Sequence, residues 1–300
     1  MTVIQCQELT KVYKRKPVLN DVSFTIEENT ITGLLGRNGA GKTTLLKIIA
    51  GYIKGTSGQI TVYSEVPFNS LSVSLSSIFV DDEMSFPAAL QLGEILEVAA
   101  SFYPNWDTSL AQKLFNYFSF DPSDYHNRLS KGKTSTFNSI IGLASRCPLT
   151  IFDEPTTGMD EGVRKDFYRA LLKDYIAYPR TIILSSHQID EIEDILENVL
   201  LLKNGQVYFH IPMSGFKEWG IGIKGNSETV ERIIKNREIL YKNRIGTHTT
   251  YAVLKNDLTQ EDRQEAYLSG VEIVPVKVSD LFIYLTNEKK GGIDNVFTNN

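Results

Sequence analysis

The stretch from Ile31 to Ala50, ITGLLGRNGAGKTTLLKIIA, decides the fold. Ile31 to Leu35 is a short apolar run with the composition of a buried strand, and it ends in a glycine cluster. From Lys42 the pattern turns helical, with Leu45, Leu46, Ile48 and Ile49 apolar and Gly51 placed to stop the helix. Between the two lies Gly36-Arg37-Asn38-Gly39-Ala40-Gly41-Lys42-Thr43-Thr44, which satisfies the phosphate-loop spacing. Glycines let successive N–H groups wrap phosphate oxygens, Lys42 adds a point charge, and the Thr43 hydroxyl is a hard-cation ligand. A nucleoside triphosphate is the expected ligand.

Upstream, Asn20 to Ile26 alternates apolar and polar residues, the period of a half-buried strand. Downstream, short apolar strands at Leu149 to Phe152, Thr181 to Leu184 and Val199 to Leu202 are separated by helical patterns at Val163 to Ile176 and Gln188 to Leu196. Residues 88–120, and a segment after Ser130 with Phe137, Ile140, Ile141 and Ala144 on one face, also read as helical. Alternation of β and α predicts an α/β core with a largely parallel sheet over residues 1–216, with a helical subdomain at about 84–145. After the hairpin signal Asn204-Gly205 the order becomes βαββαβ, with a helix capped by Ser227, a strand Val271 to Val276 and a last helix from Ser279. That order predicts a small ferredoxin-like α+β accessory domain over 217–300.

The 300 residues fit about two domains at roughly 150 each. Hydrophobic residues at 42% and charged residues at 22% exclude a mainly disordered chain. Lys and Arg number 31 against 36 Asp and Glu, a net charge of -5, and neither part of the chain is basic. A nucleic-acid phosphate backbone is therefore not the expected partner. Cys6 and Cys147 lie far apart without neighbouring ligands, which suggests neither a disulfide framework nor a zinc site. The start, MTVIQCQEL, does not read as a secretory signal, and no run of about 18 apolar residues is present to span a membrane.

A second motif is Leu149-Thr150-Ile151-Phe152-Asp153-Glu154, an apolar strand ending in two carboxylates. With a phosphate loop in the same chain, Asp153 is a candidate Mg²⁺ ligand at the carboxyl end of a parallel strand. Glu154 then becomes the candidate general base for an attacking water.

In this combination the chain resembles the nucleotide-binding subunit of an ATP-binding-cassette transporter over about residues 1–212. Tyr13 lies where that family stacks an aromatic on adenine. Leu129-Ser130-Lys131-Gly132-Lys133 stands at the signature segment, Thr157-Gly158-Met159-Asp160 at the loop linking two sites, and His187 at the switch histidine that contacts the γ phosphate. The resemblance implies an ATPase using ATP and Mg²⁺, with Glu154, His187 and Lys42 in catalysis. It implies that Tyr13, Gly36, Asn38, Gly39, Ala40, Gly41, Lys42, Thr43, Thr44, Ser130, Gly132 and Asp160 bind nucleotide, and that Thr43, Asp153 and Asp82 hold the metal. Asp82 replaces the usual glutamine, and Lys131 and Lys133 replace a glycine and a glutamine of the signature, which bears on hydrolysis more than on binding. The segment Val278 to Thr286 is similar to the closing helix of type 2 exporter ATPases. The resemblance thus implies a motor subunit at the cytoplasmic face of the membrane, peripheral to a separate transmembrane permease and dimerising as homodimer or heterodimer. The exported cargo would be a lipid, an antibiotic or an amphipathic peptide. An ATP-dependent clamp with little hydrolysis, a soluble ATPase of the same family and an importer ATPase are the other readings.

Overall fold

Backbone pairing builds the molecule from thirteen strands and ten helices in the described part of the chain, residues 1–287 of this computed structural model. Residues 288–300, the end of the expected accessory domain, lie outside them. The chain divides into two compact units, Met1–His210 and one beginning at Ile211.

The first unit opens with β1 (Thr2–Tyr13), β2 (Lys16–Glu27) and β3 (Ile31–Leu35), followed by α1 (Lys42–Ile49) and β4 (Ser57–Val62). Strands β2, β1 and β4 form a three-stranded antiparallel sheet. Sequence periodicity reveals only part of it. The partner registers of β1 shift between Cys6 and Leu9, and Glu8 has φ 50, so the bulge breaks the two-residue alternation. Next come α2 (Leu71–Ser76), β5 (Ser77–Val80), α3 (Leu92–Phe102), α4 (Thr108–Tyr117) and α5 (Lys131–Ser145). The helical stretch expected over 88–120 is thus two helices. Pro104 interrupts it, and the Asp107 carboxylate restarts it by accepting the Leu110 N–H at 2.8 Å.

The unit closes with β6 (Leu149–Asp153), α6 (Glu161–Ala177), β7 (Thr181–Ser186), β8 (Asn198–Lys203) and β9 (Gln206–Pro212). Sheet order is β5-β6-β7-β3-β8-β9, and the pairs from β5 through β8 are parallel. Buried Leu45, Leu46, Ile48 and Ile49 of α1 pack with Leu34, Ile151, Ile183 and Leu200 of the strands. Each such side chain contributes about 1.5–3 kcal/mol through burial. Asn204 and Gly205, at φ 53 and 75, make the tight turn into β9. The helix expected over Gln188 to Leu196 is only a single 3₁₀ turn, Ile189–Glu191. Asp190, Glu191, Glu193 and Asp194 would stack like charges at i,i+3 and i,i+4 on a longer helix.

The second unit contains α7 (Met213–Lys217), β10 (Gly220–Asn226), α8 (Ser227–Ile234), β11 (Ile239–Ile245), β12 (Thr249–Lys255), α9 (Gln260–Leu268), β13 (Glu272–Pro275) and α10 (Val278–Thr286). Its sheet order is β11-β12-β10-β13, antiparallel throughout, which is the ferredoxin-like order. Ile223, Val230, Ala252, Leu254 and Ala266 form its core. The cap of α8 is Asn226, whose side chain accepts from Glu228 N at 3.0 Å. Ser227, expected as the cap, instead accepts from the Thr250 hydroxyl.

Candidate functional site

Strand register brings the site together. Leu35 pairs with Ser186 and Asp153 with Ser185, so the segments leaving β3, β6 and β7 emerge side by side at the carboxyl end of the sheet. A cleft of about 470 Å³ lies there, lined among others by Gly39, Lys42, Thr43, Asp82, Asp153 and Glu154.

The phosphate loop enters α1 through Gly41 at φ 102. A side chain at this position would be strained, and its Cβ would lie 2.8 Å from a Leu19 methyl and 2.9 Å from the Val18 carbonyl. Lys42 follows. Its ammonium, 5% exposed, donates to the Gly36 carbonyl at 2.8 Å and lies 3.4 Å from Glu154 Oε1. Both partners are acceptors that a phosphate oxygen can replace. Thr43 and Thr44 complete the first turn beside the cleft, while Ala40 is buried beneath the loop.

Asp153 ends the fully buried β6, and the Ser185 hydroxyl donates to its Oδ1. The same hydroxyl accepts from Glu154 N at 2.9 Å. Glu154 has φ 48, a left-handed conformation costly for a non-glycine residue and characteristic of functional positions. Its carboxylate bridges two predicted partners, with Oε1 3.4 Å from Lys42 Nζ and Oε2 3.1 Å from His187 Nδ1. His187 is about half exposed, just past β7.

Asp82 also reaches the cleft, where its Oδ2 meets Lys131 Nζ at 3.4 Å. Thr43, Asp153 and Asp82 therefore present a hydroxyl and two carboxylates, the oxygen donors that suit Mg²⁺. Among the described residues no group of three or more His, Cys, Asp or Glu is placed to hold a metal ion. One hydroxyl and two carboxylates fit a cation that takes further ligands from phosphate and water. Neighbouring Asp81 is pushed above its ordinary pKa by burial, and its carboxylate lies 3.8 Å from Lys47.

Seven sequence-assigned residues, Tyr13, Gly36, Ala40, Ser130, Gly132, Asp160 and His187, lie outside this cleft's lining. Tyr13, 45% exposed near the β1–β2 turn, carries the Lys11 ammonium over its ring at 4.9 Å. Ser130 caps α5 by accepting from Lys133 N, and Asp160 caps α6 by accepting from Val163 N at 2.9 Å. Gly132 is packed so tightly that a Cβ would come 2.3 Å from the Gly158 carbonyl oxygen. The signature segment and the following loop are thereby locked together, reinforced by Ser135 Oγ donating to Thr157 O at 2.7 Å. Lys133, the other lysine of the signature segment, does not line the cleft. It donates to the Ser119 carbonyl at 3.2 Å and lies over the Phe120 ring. Ser185 escaped the sequence reading because a serine at a strand end has no signature of its own.

A family model described as ABC transporter matches residues 19–157. The ABC transporter ATP-binding protein YtrB of Bacillus subtilis (strain 168) is 26% identical over 287 residues, 94% of this chain and 97% of that protein. The uncharacterized ABC transporter ATP-binding protein MJ1023 of Methanocaldococcus jannaschii is 33% identical, over 68% of this chain and 75% of its own length. The bacitracin transport ATP-binding protein BcrA of Bacillus licheniformis is 28% identical, over 72% of each chain. A solved dimeric structure of the ATP-binding cassette MJ0796 bound to ADP and Pi shares the fold, with a TM-score of 0.61 at 20% identity, over 70% of this chain and 98% of that one.

Proposed function

The chain belongs to the ATP-binding-cassette family of transporter ATPases, and from that premise we propose that it is the motor subunit of an exporter, working as a dimer with a separate membrane-spanning permease. The carrying observation is the Glu154 carboxylate, which lines the cleft and contacts both Lys42 and His187. Lys42 and the loop N–H groups bind the β and γ phosphates of ATP. Glu154 accepts the proton of the attacking water, and His187 orients that carboxylate and faces the γ phosphate. Thr43, Asp153 and Asp82 hold Mg²⁺, which neutralises charge on the phosphates when bound.

Membrane coupling has support elsewhere on the first unit. No helix of the described residues is long and apolar enough to cross a membrane. A groove of about 520 Å³ is lined by Tyr52, Phe79 and Phe102 together with Lys47, Asp81 and Glu83. Tyr52 and Phe102 are 61% and 58% exposed, an apolar surface suited to a permease segment at the cytoplasmic face of the membrane. Transport is favoured by the likeness to BcrA, whose name assigns it bacitracin transport. The dimer is favoured by the dimeric MJ0796 cassette. Two chains would close head to tail, Ser130, Gly132 and Asp160 of one facing the nucleotide of the other, with Tyr13 stacking on adenine. Binding of ATP to wild type and to Lys42→Ala tests the nucleotide assignment. The variant loses about a hundredfold or more in affinity, the scale of a desolvated charge-assisted contact. Equal affinity would overturn the role of Lys42.

A further inference from the structure

The signature segment carries a cation that turns into the cleft of its own chain. Lys131 Nζ lies 3.4 Å from Asp82 Oδ2, and both residues line the cleft with Thr43, Asp153 and Glu154. Lysine is unstrained at this position, because Lys131 is the first residue of α5 and is not among the residues with positive φ. Its stem runs past Gly158, where a Cβ would stand 3.1 Å from Lys131 Cγ. Gly158, at φ 80, thus leaves room for the stem to reach the cleft.

Lys131 and Asp82 are 62% and 51% exposed, so water screens their attraction and the pair is easily exchanged. The two charges also have the signs that a cation–phosphate ligand requires. Asp82 attracts the cation, Lys131 a phosphate oxygen. Lys133 offers no such contact, being held by Ser119 and Phe120.

We propose that Lys131 is a phosphate ligand for the nucleotide of its own chain, held over the cleft by Asp82 until a phosphate oxygen takes the carboxylate's place. The inference rests on the ATP-binding reading above. Its consequence is that a single chain grips ATP from both sides of the cleft before any partner closes. The terminal phosphate is the one concerned, since Lys131 shares the cleft with the Asp153–Glu154 end of β6.

The test is equilibrium binding of ATP and ADP to the full chain, with Mg²⁺ and with EDTA, at protein concentrations where sedimentation shows a monomer. Lys131→Met weakens monomer binding of ATP about tenfold, the scale of one charge-assisted hydrogen bond, and that of ADP much less. Lys131→Arg, which keeps the charge, stays within about threefold of wild type. Asp82→Asn tightens ATP binding in EDTA, because it frees Lys131 and removes a carboxylate that repels phosphate. Unchanged monomer affinity in Lys131→Met would overturn the proposal. If that variant also lost ATP-induced dimerisation, Lys131 would serve the partner's nucleotide instead. Lys42→Ala separates the two levels. Loss of binding there, with Lys131→Met like wild type, would leave the ATP reading standing and remove only this one.

Discussion

Replacing Ser185 with alanine is the perturbation for which the structure gives the clearest magnitude. Ser185 is 1% exposed, and its hydroxyl holds two functional groups at once. It donates to Asp153 Oδ1 and accepts from Glu154 N at 2.9 Å. Ser185→Ala removes a charge-assisted bond, about 1.5–3 kcal/mol, and a neutral one, about 0.5–1.5 kcal/mol. The sum is centred near 3 kcal/mol. The first unit is about 200 residues, for which 1 kcal/mol corresponds to about 2–4 °C, so its Tm falls by about 6–12 °C. Calorimetry reads this. Turnover falls further than binding, because the Glu154 N–H loses the anchor that helps hold φ at 48. Steady-state phosphate release should show kcat reduced about tenfold or more with KM changed less. A Tm within about 2 °C of wild type, together with unchanged kcat, would refute the reasoning.

Burial lowers the pKa of His126, against a smaller opposing effect of its bond to Asn138 Oδ1 at 2.8 Å, and burial also lowers that of His210. As pH falls below about 6.5 the unfolded chain takes up these protons first, so stability declines with acid until the lower folded values are reached, by at most about 1.4 kcal/mol per pH unit for each histidine. Denaturant melts between pH 7.5 and about 5.5 check this, and His126→Gln should flatten part of the slope; an equal slope in the variant would contradict it. Asp82→Ala raises the Mg²⁺ concentration for half-maximal turnover about threefold or more, read from a Mg²⁺ titration of phosphate release. No change would remove Asp82 from the metal ligands.

What was legible in the sequence is what one local pattern carries. The phosphate loop writes its strand, turn and helix contiguously, and LTIFDE places Asp153 and Glu154 at a strand end without help from distant residues. Strand β1 was hidden because its bulge at Glu8 spoils the alternation that betrays β2. The acidic run after Gln188 imitated an amphipathic helix through its apolar Ile189, Ile192 and Leu196, while its like charges prevented one. Ser185 became visible only through the β6–β7 register. The Lys131–Asp82 pair required the approach of the α5 N-terminus to the segment after β5. Asp160, assigned to nucleotide, also accepts the helix-capping hydrogen bond from Val163 N, a role that the spacing alone did not show.

The central claim is that Glu154 is the base for water in an ATP-hydrolysing cleft. The most direct measurement is phosphate release from Mg²⁺-ATP by wild type and by Glu154→Gln, at equal nucleotide occupancy fixed by a parallel binding titration. Glutamine keeps the size and a hydrogen-bonding oxygen but cannot take the proton at neutral pH. ATP affinity should stay within about threefold of wild type while turnover falls by about 10²–10⁴. Wild-type turnover in Glu154→Gln at that occupancy would contradict the claim.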